Sequence, residues 1–422
     1  MQCSIYLFLF SCTTGLTAID IKQDHGIQPQ TENSTCKERH HLFYLKIYKT
    51  GSSTLTNILN RKALLNNFTI CNVGLREPRL KQFLMTKSNP SSDEGYKCDM
   101  HTAHTDFVYD KIMQVMHSDT ILVATLRHPF ENLRSSYYFF QRRRVDLRIQ
   151  TKGKDPIETL LTSSVFHPQL KQYAFPGKFS FYQNVMSKFF NIDQVQAAMD
   201  SAYLRRSIQN IAKHFKMMIL CEYYDESLVL LKRMMCWEMK DILYITHKNA
   251  TRIKPPRRPE DYGLLYERHQ NISSVDYALY NHFLEEHKIH SKAAGESLVR
   301  EVKAFHKTNA IMNDFCWGIL RDASAIYNLH HLHNLSSIRI KIESSEFSKD
   351  IWITGGDCLL MTCAGDTLYN AIIAMNNPSS CSSDTPTVML NRKFCNSNSD
   401  QFVLKNLPLH VFRNTFHDLI TH

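Results

Sequence analysis

Two short stretches of this chain gather side chains suited to holding anions. The first runs from Lys46 to Thr54, KIYKTGSST. A turn rich in small residues lets backbone N–H groups come close to an oxyanion, and a helix N-terminus beyond it adds positive dipole charge. Lys46 and Lys49 flank the turn and can neutralise charge, while Thr50, Ser52, Ser53 and Thr54 carry hydroxyl donors and Gly51 frees the backbone. The pattern GxxxxGK[ST] of nucleoside-triphosphate loops is absent, because Lys49 precedes the glycine. No obvious Mg²⁺ carboxylate accompanies the loop, which argues against ATP or GTP hydrolysis. An ordinary strand-to-helix turn with a glycine and capping serines accounts for this segment, taken alone, equally well.

The second stretch is Leu126-Arg127-His128-Pro129, with Ser135 eight residues beyond Arg127. A guanidinium at a strand end can grip a phosphate through two parallel hydrogen bonds. Ser135, two turns into a following helix, can donate to the same group. Phosphate binding is what this combination suggests.

Such residues must be positioned by strands and helices around them. LFYLKIY (42–48) reads as a buried strand, rich in aromatic and branched residues, followed by a helix over Thr54–Leu65 with Ser52 or Ser53 as its N-cap. TILVATL (120–126) reads as a central strand, and Pro129 can open the next helix, which continues through Ser135, Ser136 and the aromatics Tyr137 to Phe140. Thr105–Met116 reads as an amphipathic helix, Lys216–Cys221 as a strand and Glu222–Met235 as a helix. Two late helices are expected over Ser273–His287 and Lys292–Asn313. Strands alternating with helices predict an α/β fold with a parallel central sheet flanked by helices. In such sheets ligands bind at the carboxyl ends of the strands, where both polar stretches fall.

The 422 residues suffice for one large domain with appendages, and their 43% apolar content suits a globular core. The net charge of +10 admits anionic partners without choosing among them. No nucleic-acid-binding motif is present. The twelve cysteines contain no CxxC pair, which argues against a zinc ribbon, and they allow disulfides whose pairing is not readable from spacing.

Residues 1–19 include the apolar run SIYLFLFSCTTGLTAI and read as a signal peptide or signal anchor, although no Lys or Arg precedes the run. Residues 20–39 read as a stem. Sequons at Asn33, Asn67, Asn249, Asn271 and Asn334 lend weak support to a luminal site. Beyond Ala325 Ser and Asn increase and helical periodicity fades, so 321–422 is set apart from a 40–320 domain as an extension of unassigned role, with the apolar piece IWITGGDCLLM inside it. The His-rich stretch 328–333 reads as a solvated turn.

The paired motifs resemble a known family. KIYKTGSST is similar to the 5′-phosphosulfate loop of sulfotransferases that use 3′-phosphoadenosine 5′-phosphosulfate (PAPS), and ATLRHPFENLRSSYYFF (124–140) to their 3′-phosphate motif. More narrowly, the loop and the following Asn57-Ile58-Leu59 resemble LKTHKTASST and LNIL of the galactose 3-O-sulfotransferase family. CEYYDESLVLLKRMMCWEMKDILYI (221–245), with its Cys236-Trp237 pair, resembles that family's EYFDESLVLLKDLLCWELEDVLY. HTDFVYD (104–110) is a weaker match to HMRFHYD. The likeness spans roughly residues 40–315.

The resemblance implies a P-loop-like sulfotransferase fold and a role for each matching residue. Lys49, Thr50, Gly51, Ser52, Ser53 and Thr54 would hold the 5′-phosphosulfate; Arg127 and Ser135 would hold the 3′-phosphate. The acceptor would be the 3-hydroxyl of a terminal galactose on a galactosylceramide-like glycolipid or a glycan. The setting would be the Golgi lumen, membrane-anchored as a type II protein or in the secretory pathway. Lys49 would stabilise charge on the leaving phosphate, with Lys46 assisting.

Departures from the family pattern matter here. Tyr48 stands where the family has a loop histidine, and a phenol of ordinary pKa about 10 is a poor base near neutral pH. His104 is the candidate replacement base and His101 the fallback. His128 replaces an aspartate and is expected to matter little; Asp106 replaces an arginine and bears on acceptor recognition. Two other readings stay open: a sulfotransferase acting at another glycan position, and a non-catalytic PAPS- or glycan-binding relative. Arg142–Arg144 reads as a solvated helix end, Pro255–Pro259 as a stiff loop, and the carboxylates Glu222, Asp225 and Glu226 as structural, with Asp225 a helix N-cap.

Overall fold

The computed structural model describes residues 36–71, 97–141, 156–162, 183–246, 259–321, 338–363 and 368–369. Residues 1–19, the Arg142–Arg144 run, most of Pro255–Pro259 and the 328–333 stretch lie outside them. A four-stranded, all-parallel sheet forms the centre: β1 (Leu42–Leu45), β2 (Met100–His101), β3 (Ile121–Leu126) and β4 (Phe215–Leu220), in the order β2-β1-β3-β4. Around it lie α1 (Ser52–Leu65), α2 (Tyr109–Val115), α3 (Pro129–Gln141), α4 (Ser201–His214), α5 (Tyr224–Met235) and α6 (Ser274–Arg321). An antiparallel pair, β5 (Arg339–Ile342) and β6 (Ile351–Thr354), leads into α7 (Gly355–Thr362). The α/β expectation therefore holds, with a parallel central sheet flanked by helices.

The strands are buried on both faces, which is why they read as apolar runs rather than alternations. On one face Leu42 and Tyr44 of β1 pack with Leu55, Ile58 and Leu59 of α1, and with α5, the second half of α6 and α7. On the other face Phe43 and Leu45 pack with α2, α4, the 185–192 segment and the first half of α6. Each fully buried large apolar side chain contributes about 1.5–3 kcal/mol. A third cluster ties Phe130, Leu133 and Tyr137 of α3 to Ile157, Leu160 and Leu161.

Several local expectations change. The strand ends at Leu45, earlier than the 42–48 apolar run suggests. Helix α1 begins at Ser52, and its N-cap is Gly51 in the left-handed region (φ 74°), with no side-chain cap. Neither Ser52 nor Ser53 is the N-cap. The expected 105–116 helix is shortened to α2, because the Phe107 N–H is drawn to the Phe189 carbonyl (2.7 Å) and the chain enters the helix extended at Val108. The two late helices run together as α6 and break only at Gly295, whose φ of 62° and ψ of −157° no helix contains. A 3₁₀ turn over Cys221–Tyr223 precedes α5, so Asp225 lies in the first turn of α5 and is not its N-cap. It accepts a hydrogen bond from the Tyr244 hydroxyl (2.6 Å) and pairs with His306 (2.8 Å).

Residues 338–363 join the core. The Asn57 side-chain amide on α1 donates to the carbonyls of Leu360 and Cys363, both at 2.9 Å. Disulfides link Cys36 to Cys236, Cys71 to Cys98 and Cys316 to Cys358, with Cα separations of 5.8, 5.8 and 5.2 Å. Those separations suit the bond. Among the described residues no helix is long and apolar enough to cross a membrane. The sequon asparagines Asn67 and Asn271 are exposed.

Candidate functional site

The loop between β1 and α1 is held from several directions at once. Thr50 is fully buried, and its hydroxyl donates to the Ile47 carbonyl (3.1 Å) and shares a hydrogen bond with Thr125 (2.6 Å), which is itself bonded to the Tyr44 hydroxyl (2.9 Å). This chain of three hydroxyls fastens the loop to β3. Burial raises the Tyr44 pKa, so its proton stays in place.

Three more loop carbonyls are occupied. Asn132 on α3 donates to the Tyr48 carbonyl (2.9 Å), Arg127 to the Lys49 carbonyl (3.3 Å) and the Tyr224 hydroxyl to the Gly51 carbonyl (3.2 Å). Carbonyl oxygens repel an anion, and here four of them are tied to protein donors. At the start of α1 the Thr54 and Leu55 N–H groups fold back to Gly51, while those of Ser52 and Ser53 belong to the first turn, which a helix leaves without internal partners. The electrostatic character of the loop is therefore that of a donor surface.

Two residues of the loop have positive φ: Lys49 at 62° and Gly51 at 74°. The second needs glycine for space as well, since a Cβ there would sit 3.0 Å from Tyr224 Cε2. Lys49 accepts the strained conformation and its ammonium lies over the Phe139 ring of α3, 3.7 Å from the centroid. Arg127, at the end of β3, is partly exposed and faces Glu131 (3.6 Å), which also binds Arg134 (2.7 Å). Ser135 is half-buried on α3. The structure thus brings Lys49, Gly51, Ser52, Ser53, Thr54 and Arg127 to the carboxyl end of the sheet. It turns the Thr50 hydroxyl inward, leaving that residue only its backbone to offer a ligand.

Beside the loop, His104 stacks on Tyr48 (centroids 4.1 Å, 26°) and its Nδ1 meets the Lys46 carbonyl at 2.8 Å. A carbonyl only accepts, so Nδ1 carries the proton and Nε2 keeps its lone pair. One edge of the ring is exposed, yet crowding by its neighbours, helped by the Lys46 charge, lowers its pKa to about 4. His104 is thus a neutral imidazole with an open acceptor nitrogen. Tyr48 is wedged between His104 and Phe189, and burial pushes its pKa up, further from service as a base.

His101 proves unsuited as a fallback. It lies on β2, fully buried and stacked on Phe43 (4.7 Å). A fully buried ring cannot touch a sugar hydroxyl that arrives from solvent. His128 shares a hydrogen bond with the Tyr266 hydroxyl (3.2 Å) and packs edge-to-face with Tyr277 and Tyr280. Its backbone N–H donates to Glu222 (2.8 Å), which also accepts from the Tyr280 hydroxyl (3.1 Å).

Sequence reasoning missed Asn132, Thr125 and Tyr224, the residues that orient the loop. Thr125 and Asn132 lie inside the 124–140 stretch and Tyr224 inside 221–245, and only the three-dimensional turn of the loop reveals what each holds. Glu222 and Glu226 are structural, as expected; Glu226 binds the Ser291 hydroxyl and His287 (3.2 Å).

Comparison with known proteins places these features in context. A family model described as Galactose-3-O-sulfotransferase matches residues 4–336. Galactosylceramide sulfotransferase of Homo sapiens is 30% identical over 297 residues, covering 69% of this chain and 68% of that protein. Its Bos taurus counterpart is 29% identical over 298 residues, with 69% and 68% covered. Galactose-3-O-sulfotransferase 3 of Mus musculus is 29% identical over 299 residues, covering 67% of this chain and 65% of that protein.

Proposed function

The chain belongs to the galactose-3-O-sulfotransferase family, and from that premise we propose that it moves a sulfuryl group from PAPS to the 3-hydroxyl of a terminal galactose on a glycolipid or glycan. The observation that carries this reading is the loop between β1 and α1, with its carbonyls tied back and Lys49, Arg127 and a helix start beside it. That donor set fits a polyanion bearing phosphate and sulfate groups.

PAPS supplies an activated sulfuryl group on a phosphate leaving group. Lys49, the Ser52 and Ser53 N–H groups and the Thr54 hydroxyl hold the 5′-phosphosulfate; Arg127 and Ser135 hold the 3′-phosphate. The acceptor hydroxyl attacks sulfur, a new S–O bond forms, and the bond from sulfur to the phosphate oxygen breaks. The proton passes to Nε2 of His104, and the charge left on phosphate is met by Lys49, with Lys46 nearby. Positioning and electrostatic stabilisation provide the rate.

A luminal setting, in the Golgi or along the secretory pathway, is part of the proposal. Three disulfides support an oxidising compartment. The apolar run near the N-terminus supports entry to that pathway, as a signal or an anchor.

The test is sulfate transfer from labelled PAPS to galactosylceramide, lactosylceramide and N-acetyllactosamine, with Lys49→Ala and His104→Ala alongside. Transfer to a galactose acceptor that both substitutions abolish supports the whole reading. Transfer only to a different sugar position keeps the donor site and replaces the acceptor. PAPS binding without transfer to any acceptor points to a non-catalytic relative, a reading that the tyrosine at position 48 favours.

A further inference from the structure

At the opposite edge of the sheet, where the strands begin, three side chains converge from three separate segments. His41 immediately precedes β1, Asp99 immediately precedes β2, and His117 lies shortly before β3. The Nε2 atoms of His41 and His117 lie 3.4 and 3.6 Å from the same carboxylate oxygen, Oδ1 of Asp99. One ligand atom from each residue falls within 4.8 Å of the other two. The imidazole rings are stacked, with centroids 3.9 Å apart and planes 14° from parallel.

The supports around these residues are as specific as the cluster itself. Nδ1 of His41 donates to the Asp119 carboxylate at 2.5 Å, which fixes Nε2 as the inward-facing nitrogen. The other oxygen of Asp99 accepts from both the backbone N–H and the hydroxyl of Thr69, each at 2.7 Å. The backbone is clamped as well: Leu42 N–H donates to the Asp99 carbonyl, Ile121 N–H to the His41 carbonyl, and the Cys71–Cys98 disulfide stands next to Asp99. The three groups are partly buried, between 23% and 35% exposed, and so open to solvent on one side.

We propose that His41, Asp99 and His117 bind a divalent first-row transition ion, Zn²⁺ foremost, that staples the starts of β1, β2 and β3 together. Two imidazoles and a carboxylate are a zinc donor set, and water completes the fourth position. Tetrahedral bonds of about 2.05 Å place ligand atoms about 3.3 Å apart, close to the two separations observed. Binding needs only that the stacked rings splay until both lone pairs point at one ion. His41 with Asp119 behind it reproduces the carboxylate–histidine–metal arrangement that orients a ligating ring and raises its basicity. The site lies at the end of the sheet away from the anion loop, so the ion acts on stability and not on transfer. This inference is independent of the proposed reaction.

The experiment uses the full secreted chain, stripped with a chelator and dialysed. Titration with ZnCl2 is read by calorimetry, and Co²⁺ loading by its visible d–d absorption. We expect one equivalent of Zn²⁺, a higher Tm on loading, and a Co²⁺ spectrum of nitrogen and oxygen ligation. His117→Ala should abolish all three signals. Asp119→Asn, at an exposed position that leaves the fold intact, should weaken binding by about 10–100-fold. Three results overturn the proposal: no heat and no Tm change with Zn²⁺, unaltered binding in His117→Ala and Asp119→Asn, or a sulfur-to-cobalt charge-transfer band showing that cysteine holds the ion. In the first case the cluster is a carboxylate-bridged pair of imidazoles and nothing more.

Discussion

The imidazole of His104 lies face to face with the phenol of Tyr48, 4.1 Å between centroids, while its Nδ1 donates to the carbonyl of Lys46. The hydrogen bond fixes the tautomer, because a carbonyl only accepts, and Nε2 keeps its lone pair. Tyr48 thus serves as the wall against which this histidine is set.

The first prediction concerns this pair. His104→Ala should lower kcat by about 10²–10⁴-fold, the usual contribution of a positioned base. Tyr48→Phe keeps the stack and should stay within about threefold of the parent, since no transition-state contact is removed. In the proposed role the base works in its neutral form, and the His104 pKa is lowered to about 4. Activity should therefore hold as pH falls through 6.5 and decline only near 4. An acid limb of kcat/KM centred near 6.5 would assign the proton to a different group.

Lys49 can be probed without disturbing the fold. Its φ is 62°, a conformation glycine adopts freely. Lys49→Gly should keep stability within about 1 kcal/mol while lowering kcat by about 10²–10³-fold. Thermal unfolding and single-turnover transfer, measured on one preparation, separate the two effects. A Lys49→Gly protein with full turnover would remove the ammonium from the chemistry.

Arg127 has two duties, a hydrogen bond to the Lys49 carbonyl and the proposed grip on the 3′-phosphate. Arg127→Ala should raise the KM for PAPS by roughly 10–100-fold, the loss of a charge-assisted contact of about 1.5–3 kcal/mol. Some kcat should go with it as the loop loosens. Ser135→Ala removes one neutral donor, worth about 1 kcal/mol, and should raise KM by about fivefold with kcat unchanged. Steady-state kinetics at varied PAPS decides between these patterns.

Gly51→Ala should destabilise the chain by about 1–3 kcal/mol, because a left-handed φ is joined to a Cβ placed 3.0 Å from the Tyr224 ring. Tyr224→Leu in the same chain should recover part of that loss. Urea unfolding of the two single variants and the double variant measures the coupling. Strict additivity would mean that the backbone alone demands the glycine.

What could be read ahead of the structure follows from how local each signal is. The segments around β1, β3 and β4 are legible because strands buried on both faces are continuous apolar runs, whereas α1 is buried on all sides from Leu55 to Leu64, polar residues included, which its apolar spacing does not announce. Gly51 as N-cap is not legible in the sequence, since serines cap helices so often that Ser52 or Ser53 reads as the natural choice. The inward turn of the Thr50 hydroxyl depends on Thr125, a partner 75 residues away. His41, Asp99 and His117 carry no spacing signature, because the chain collects them only by bringing three strand starts side by side. Residues 338–363 looked featureless for a similar reason: two four-residue strands and an eight-residue helix are too short to show a period.

The contact between Asn57 and α7 has a consequence for the making of the protein. The amide of Asn57 is bound by carbonyls 303 and 306 residues further along. A ribosome delivers α1 early, and more than two thirds of the chain must follow before that helix finds its last partners. Helix α1 is thus among the first parts synthesised and among the last to be fully covered, as expected for contacts so distant in sequence. A chain that stalls before Leu360 would carry the loop between β1 and α1 complete and the helix behind it still uncovered, which makes that closure a late and well-defined step.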